Sequence, residues 1–334
     1  MKILFAIQGT GNGHLARAID VYPALCTYGE VDVLVSGIQG DITLPFPVKY
    51  QLYGLSFIFG KSGGVDKWET VKKSKLFRLI KDIFRLPVKD YDLVINDFEP
   101  ISAWACQLHK KTCISLSHQS AVLHPMAPKP EQYDLLGDLI LRYYAPVHAK
   151  FGFHFKAFDH NMFTPIIRQQ IRQLSISNDG HYTVYLPAYD DNSLIKELSV
   201  FENISWQIFS KHCKEDFNFK NIQVRPIENM AFMKSMATST GVLCGAGFET
   251  PAEALFLGKK LLAIPMHGQY EQQCNAACLA SLGVPIIDGL SKKNRTRLGE
   301  WLDDDQKIVV SYPENTERAV ASLMEYYWSK QVIS

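Results

Sequence analysis

Two glycine-containing turns carry residue types that suit anion binding and proton transfer. The first runs from Gly9 to His14 and follows an apolar segment at 3–7. The second runs from Gly245 to Glu253 and follows another at 241–244. In each, small residues join a strand signal to a helix signal, which leaves backbone N–H groups and a helix N-terminus open to a ligand. Two such turns predict two α/β halves that bind a ligand between them.

The N-terminal turn supplies a candidate base. Gly9, Gly11 and Gly13 alternate, unlike the G-x-G-x-x-G dinucleotide fingerprint, so we do not expect a hydride-transfer cofactor. Gly11 and Gly13 let a bulky ligand approach the backbone closely. His14 opens the following helix, where an imidazole can act as a general base near neutral pH. The alternative is a histidine that only makes a hydrogen bond at a helix start.

Polar residues also follow two further strand signals in the first half. Asp97 ends one apolar run, and the pair His118-Gln119 follows the next. The carboxyl ends of parallel strands line the ligand crevice of an open sheet, which makes these residues site candidates. Asp97 then orients His14 or accepts a proton itself. Its alternative interpretation is a cap for the helix near Pro100.

The C-terminal turn supports a structural and a binding interpretation together. Thr250 as N-cap, Pro251 at the first helical position and Glu253 three residues after the cap form a capping box. The glycines Gly245 and Gly247 are not needed for that cap, and they clear space over the helix N-terminus for a diphosphate. Both roles coexist if Glu253 also accepts a hydrogen bond from a sugar hydroxyl.

A polar helix start follows one strand later, at 265–275. Glu271 and Gln272 place a carboxylate beside an amide, and Asn275 follows on the same helix. A carboxylate next to an amide suits bidentate contacts to the vicinal hydroxyls of a sugar. The alternative is a solvated helix start.

Alternating strand and helix signals must position these turns, and they call for parallel sheets covered by helices. We predict strands at 2–7, 31–36, 93–96, 112–116, 182–186, 204–209, 222–224, 241–244, 261–264 and 284–287, and helices at 14–28, 71–85, 250–257, 271–282 and 314–330. The alternation lapses between 159 and 179. The predicted organisation is an N-terminal domain at 1–160, a linker at 161–179, a C-terminal domain at 180–315 and a closing helix at 316–334.

Composition limits the classes of function. The 334 residues are enough for two cores, and 35 basic against 34 acidic residues leave a net charge of +1, so bulk charge does not indicate a nucleic-acid partner. Seven cysteines without a Cys-x-x-Cys pair favour a reducing compartment and do not complete a metal site. No apolar stretch reaches the roughly 20 residues of a membrane span. We therefore expect a cytoplasmic protein.

The ordered set of motifs resembles the nucleotide-sugar glycosyltransferases of GT-B fold, especially family 28, which includes the enzyme that makes lipid II. The resemblance covers both halves. Its residues are Gly11-Asn12-Gly13-His14, the stretch 226–231, the stretch 244–247, Thr250, Glu253-Ala254, Gly258-Lys259, Pro265, Glu271-Gln272 and Asn275. The resemblance implies two Rossmann-like domains with a cleft between them and a C-terminal helix that returns to the first domain.

The resemblance also implies roles for individual residues. Ile227 would offer backbone atoms to the base, normally uracil, and Gly245, Gly247 and Thr250 would hold the diphosphate. Donor contacts are further implied for Gly11, Gly13, Glu253 (ribose hydroxyls), Glu271, Gln272 and Asn275. His14 would be the base, and His118-Gln119 would lie on the acceptor side.

The implied reaction transfers a sugar from a nucleotide-diphospho-sugar to an acceptor hydroxyl, with inversion and without a metal or other cofactor. Backbone N–H groups and the helix dipole would stabilise the departing diphosphate. The acceptor would be a sugar or a lipid-linked molecule of a cell-envelope glycan. Two other functions stay open: a UDP-N-acetylglucosamine 2-epimerase, and a non-catalytic subunit that binds nucleotide-sugars.

A basic and apolar stretch at 72–86 suggests how a lipid-linked acceptor would be reached. Phe77, Ile80 and Phe84 share one helix face, with Lys81 and Arg85 beside them. Such a face docks on an anionic lipid surface and would make the protein peripheral to the inner face of the membrane. The alternative is a helix that turns its apolar face to the core.

Overall fold

Two predominantly parallel sheets form the framework of the molecule. The computed structural model describes residues 1–37, 42–54 and 76–332. The strands are β1 Lys2–Gln8, β2 Glu30–Ser36, β3 Tyr50–Leu52, β4 Leu93–Asp97, β5 Cys113–Leu116, β6 Ala149–Phe153, β7 Met162–Phe163, β8 His181–Tyr185, β9 Ser205–Ser210, β10 Phe217–Phe219, β11 Ile222–Pro226, β12 Gly241–Gly245 and β13 Lys260–Ile264. The first sheet has the order β3-β2-β1-β4-β5-β6-β7 and the second β10-β11-β9-β8-β12-β13. Only β10 pairs antiparallel among these strands.

Helices cover both faces of each sheet. They are α1 Asn12–Cys26, α2 Leu76–Arg85, α3 Pro100–His109, α4 His118–Val122, α5 Leu135–Tyr143, α6 Gln169–Arg172, α7 Asp191–Leu198, α8 Asn229–Thr238, α9 Glu249–Phe256, α10 Tyr270–Ala280, α11 Arg295–Asp303 and α12 Thr316–Gln331. The run from Ile3 to Ile7 is fully or almost fully buried, as a strand covered on both faces requires. We call the first sheet with its helices the N-lobe and the second the C-lobe. The predicted α/β fold with two Rossmann-like units is confirmed.

The strand order places the glycine turns where a ligand is expected. In the N-lobe the order reverses between β1 and β4, and in the C-lobe between β8 and β12. Ligands of open α/β sheets bind beyond the carboxyl ends of the strands at such a reversal. His14 follows β1, Asp97 ends β4, and Gly245 ends β12, so the predicted site residues lie at these two points.

The segment between the lobes carries some regular structure. Strand β7 pairs with β6, with Met162 opposite Gly152 and Phe163 opposite Phe153. The N-lobe sheet therefore extends beyond the predicted boundary at residue 160. Helix α6 follows within the predicted linker. The last predicted strand, at 284–287, is wrong, because this segment makes only an isolated bridge between Ile286 and Ala263.

The C-terminal helix returns to the N-lobe, as the resemblance implied. Helix α12 packs against α1, with Leu323 and Met324 fully buried. The Tyr327 hydroxyl donates to the carbonyl of Asp92 over 3.2 Å. The helix therefore crosses back from the C-lobe and completes the core of the N-lobe.

Helix α2 presents its apolar face outward. Phe77 is 92% exposed and Phe84 63%, with Ile80 also exposed, whereas Leu79 is buried. The alternative of a core-facing helix is confirmed only for the adjoining edge, because Leu79 and Ile83 pack against the N-lobe core whereas Phe77, Ile80 and Phe84 do not. Residues 72–75 of the predicted segment lie outside the described residues. Within the described ranges, no helix is long and apolar enough to cross a membrane.

Candidate functional site

A cavity of about 1000 Å³ lies between the two lobes. Both lobes contribute to its wall. Of the predicted site residues it is lined by Gly11, Gly13, His14, His118, Gln119, Ile227, Gly245, Gly247, Thr250, Glu271 and Gln272. Asp97, Glu253 and Asn275 do not line it.

His14 stands at the start of α1 with a buried carboxylate behind it. Its Nδ1 lies 2.9 Å from Oδ1 of Asp97. Nη2 of Arg17 lies 3.1 Å from the same nitrogen. We assign the ring proton to Nδ1, because a lone pair there would face the negatively charged Asp97 oxygen and because the amide nitrogen of Gln119 lies beside Nε2. The other nitrogen, Nε2, keeps its lone pair and accepts from the side-chain amide of Gln119 at 3.3 Å. His14 therefore presents a proton acceptor at the cavity wall.

Asp97 is fixed on both oxygens and does not cap a helix. Nη2 of Arg17 donates to its Oδ1 and Oδ2 over 2.9 and 2.8 Å. Burial raises the pKa of Asp97, but the charges of Arg17 and His14 outweigh it and the pKa lies below its ordinary value. The N-cap of α3 is Glu99, which accepts from two backbone N–H groups, so the capping interpretation of Asp97 is wrong.

Arg17 has a second partner, in the C-lobe. Its Nη1 donates to Oε1 of Glu249 at the start of α9. Arg17 is 3% exposed, and burial raises the pKa of Glu249 to about 7 even though Arg17 opposes that shift. Neither residue was among the sequence candidates, because their contact joins positions 232 apart in the chain.

The second glycine turn opens directly onto the cavity. A Cβ placed on Gly247 would meet no atom within 4 Å, so packing within the protein does not require glycine there. Thr250 lies inside α9, because the helix begins at Glu249 with Phe248 as N-cap and no side-chain cap. The predicted capping box is therefore wrong, while Thr250 and Gly247 both line the cavity.

The Glu253 carboxylate forms an ion pair with Arg168, which belongs to the segment between the lobes. Nε and Nη2 of Arg168 donate to its two oxygens over 2.5 and 2.8 Å. The Glu253 side chain is 2% exposed and lies outside the cavity lining. Its contact with ribose hydroxyls stays a prediction, which requires Arg168 to release it.

The start of α10 lies opposite His14. Oε2 of Glu271 accepts from the side-chain amide of Gln119 over 3.1 Å, and Oε1 of Gln272 accepts from the backbone N–H of Met266 over 2.9 Å. Asn275 is fully buried. It donates to the carbonyl of Ala246 over 3.1 Å, so its position ties α10 to the glycine turn.

His118 and Gln119 connect the lobes from the start of α4. The His118 ring stacks on Phe248 with centroids 3.9 Å apart, and its Nε2 lies 2.7 Å from Oδ1 of Asn275. Burial lowers the pKa of His118. Gln119 bridges His14 and Glu271, and its own Oε1 is buried without a hydrogen-bond partner. A ligand hydroxyl would satisfy that oxygen.

Sequence reasoning also missed the apolar part of the wall. Leu136, Ile140 and Leu141 of α5 line the cavity, next to Phe98. The signal in the sequence was the apolar run Leu139 to Leu141, which does not show whether a helix faces a core or a cleft. No group of histidine, cysteine, aspartate or glutamate side chains suited to a metal occurs within 1–37, 42–54 and 76–332.

The chain is similar to known glycosyltransferases over most of its length. A family model described as "Glycosyl transferase family 1" matches residues 1–304. An "Uncharacterized glycosyltransferase" of Methanosarcina mazei is 22% identical over 326 residues, which covers 85% of this chain and 84% of the relative.

Among solved structures, the glycosyltransferase SnogD from Streptomyces nogalater has a TM-score of 0.54 at 12% identity, with 97% of this chain and 99% of that chain covered. A UDP-N-acetylglucosamine 2-epimerase has a TM-score of 0.57 at 13% identity, with 99% and 97% covered. At such identities the likeness to both structures shows a shared fold alone.

Proposed function

The chain belongs to glycosyl transferase family 1 and is therefore a glycosyltransferase, and we propose that its donor is a UDP-sugar, which binds in the cavity between the lobes. The resemblance to GT-B nucleotide-sugar glycosyltransferases is confirmed by the family and by the fold. One observation carries the proposal. A histidine paired with a buried aspartate stands at one wall of the cavity, and an open glycine turn at a helix N-terminus forms another.

The donor is placed on the C-lobe side of the cavity. The diphosphate lies over Gly245 and Gly247, where the first N–H groups of α9 and its dipole favour negative charge. The uracil lies against the backbone at Ile227, which lines the cavity and is 36% exposed. Glu271 and Gln272 contact the sugar.

The chemical step is a displacement at the anomeric carbon. Nε2 of His14 removes the proton of the acceptor hydroxyl as its oxygen bonds to that carbon. The bond from the carbon to the diphosphate oxygen breaks, and its electron pair leaves with UDP. Asp97 stabilises the imidazolium that forms, and the amides at α9 stabilise the diphosphate. Attack from the face opposite the leaving group inverts the anomeric centre, and the proposal needs no metal or other cofactor.

The acceptor is proposed to carry an apolar part. On the N-lobe side the cavity is lined by Leu136, Ile140 and Leu141 of α5 together with Phe98. Leu135 and Tyr143 on the same helix are 61% and 60% exposed. A lipid-linked acceptor would place its hydroxyl at His14 and its apolar chain along this helix.

Helix α2 is proposed to bring the enzyme to an anionic membrane surface. Its exposed aromatic face at Phe77 and Phe84 lies beside Lys81 and Arg85, the combination that binds anionic lipid. Co-sedimentation with vesicles that contain phosphatidylglycerol tests this. The wild type is expected to pellet and a Phe77→Ser/Phe84→Ser variant to stay in solution. Equal recovery of both in the supernatant would contradict the membrane proposal.

A donor screen tests the proposed function. UDP-, GDP- and dTDP-sugars are added separately in a thermal-shift assay, in which a ligand of the folded state raises the melting temperature. UDP and UDP-sugars are expected to raise it, and the others are not. A response to GDP alone would overturn the choice of nucleotide. Conversion of UDP-N-acetylglucosamine to its 2-epimer without an acceptor would instead support the epimerase alternative, which the family match does not favour.

A further inference from the structure

The charge network behind His14 extends beyond the N-lobe. Asp97 contacts His14 with one oxygen and Arg17 with both, and Arg17 also contacts Glu249. Arg17 is 3% exposed and Asp97 1%. A charged guanidinium or carboxylate that is buried without a partner is strongly destabilised, so each charged group of this network requires its neighbour. The network therefore depends on a residue from the opposite lobe.

We propose that Arg17 and Glu249 are a positioning pair that assembles the His14–Asp97 base when the lobes are together. Glu249 holds the guanidinium of Arg17 from the C-lobe, and the guanidinium holds the Asp97 carboxylate against Nδ1 of His14. Neither residue of the pair takes the proton. This inference rests on the proposed role of His14 as base.

The backbone around the pair supports this assignment. A Cβ on Gly13 would lie 3.0 Å from Cγ of Glu249, so the glycine before His14 lets the glutamate side chain reach Arg17. The glutamate also stands at the first position of α9, directly after the turn that is proposed to hold the diphosphate. The pair thus joins the donor turn to the base.

Other charged groups around Glu249 do not replace Arg17. Glu253 lies on the same helix and is held by Arg168 on both of its oxygens. His14 reaches Asp97 and not Glu249. Arg17 is therefore the cation that bonds Glu249 among the described residues. Without Glu249, Arg17 would keep Asp97 but lose the partner that fixes its second nitrogen.

The first test is spectroscopic and does not depend on turnover. Long-range proton–nitrogen spectra of histidine-labelled protein report the tautomer of each ring, and a His14→Gln variant identifies the His14 signal. The wild type is expected to show His14 protonated on Nδ1. In Glu249→Gln, His14 is expected to populate both tautomers. An unchanged His14 spectrum in Glu249→Gln would overturn the pair.

The second test separates chemistry from binding. UDP release from UDP-glucose or UDP-N-acetylglucosamine, with water as acceptor, gives kcat and KM. Glu249→Gln is expected to lower kcat about tenfold, the size that uncoupling a contacting pair produces, with KM for the donor within about twofold. A rise in KM at constant kcat would show that Glu249 only binds the donor.

A double-variant cycle asks whether the two residues act as a unit. Arg17→Met and Arg17→Met/Glu249→Gln are expected to share the same kcat, and multiplied losses would contradict coupling. Arg17→Met leaves the buried Asp97 and the half-buried Glu249 without their cation, so Arg17→Lys serves as a variant that keeps the charge. The lysine ammonium lacks the planar guanidinium that bonds Asp97 and Glu249 together, so we expect a kcat between those of wild type and Arg17→Met.

A matched control is the pair Arg295–Glu197, which lies within the C-lobe at 2.9 Å. Glu197→Gln is expected to leave both the His14 spectrum and kcat unchanged. The two tests also separate this inference from the proposed function. If His14→Gln retains full kcat, His14 is not the base and the proposed function fails, while a tautomer change in Glu249→Gln would still show that Arg17 and Glu249 orient the His14 ring.

Discussion

At the scale of single residues, the site depends on one proton acceptor and the carboxylate that orients it. Asp97 is buried behind the cavity wall in contact with His14 and Arg17, and its pKa is below its ordinary value. An ionised carboxylate at Nδ1 fixes the tautomer in which Nε2 can accept a proton, and it stabilises the positive ring that follows.

The first prediction concerns Asp97→Asn. The substitution preserves shape but removes the charge that stabilises protonated His14, so kcat for UDP release is expected to fall about 10²-fold. Calorimetric titration is expected to show little change in the dissociation constant for UDP, since Asp97 does not line the cavity. A kcat within about twofold of wild type would contradict the orienting role.

At this scale the sequence was informative about His14 and Asp97, which lie 2.9 Å apart as expected, and uninformative about Arg17 and Glu249. A histidine that closes a glycine-rich turn indicates a site because of local spacing alone. Arg17 stands only three residues further on, but its contacts with Asp97 and Glu249 span 80 and 232 residues. The first contact is fixed by how the N-lobe folds and the second by how the lobes meet, and no local pattern encodes either.

At the scale of elements, the turn between β12 and α9 forms the proposed diphosphate site. Gly247 faces open space, since a Cβ at this position would have no atom within 4 Å of it. The sequence indicated this turn correctly, but it placed Thr250 as the cap. The helix instead starts at Glu249 without a side-chain cap, because the N-cap position falls on Phe248, whose side chain has no hydrogen-bond acceptor.

The second prediction uses that open space. Gly247→Leu is expected to fill the diphosphate site and to weaken UDP binding by about tenfold or more, that is, by at least about 1.4 kcal/mol. Its melting temperature without ligand is expected to match that of wild type, and Gly247→Ala, the smaller control, is expected to show a smaller loss. Wild-type UDP affinity in Gly247→Leu would place the diphosphate elsewhere.

At the scale of the whole molecule, the two lobes share one apolar core. A single cluster of buried side chains includes Leu15 of α1, Cys244 of β12 and Leu323 of α12. The alternation of strands and helices predicted the two sheets, and the final helix was expected to return. The shared core and the Arg17–Glu249 contact could not be predicted, because both depend on the relative placement of two units.

The third prediction concerns acid stability. His154 is fully buried beside His118, its Nε2 has no hydrogen-bond partner, and burial lowers its pKa well below the ordinary value. The unfolded chain takes up a proton at this histidine near pH 6.5, whereas the folded chain does not. Stability from this residue is therefore present above that pH and is lost as the pH falls through it.

Melting temperatures at pH 7.5 and 5.5 test this sign. His154→Asn keeps an acceptor for the backbone N–H of Phe155, which His154 Nδ1 accepts at 2.9 Å, and it removes the titration. Its melting temperature is expected to fall less between the two pH values than that of wild type. His212→Asn, at an exposed histidine, is the control. Equal decreases in wild type and His154→Asn would rule out His154 as a source of acid sensitivity.

The central claim is that the cavity binds a UDP-sugar on its C-lobe side and that His14 of the N-lobe removes the proton of the acceptor hydroxyl. The most direct measurement compares wild type and His14→Gln for UDP affinity by calorimetry and for UDP release from the UDP-sugar that gives the largest thermal shift. We predict the same UDP affinity and a loss of kcat of about 10²-fold or more. Unchanged turnover in His14→Gln, with UDP bound as tightly as in wild type, would contradict the account.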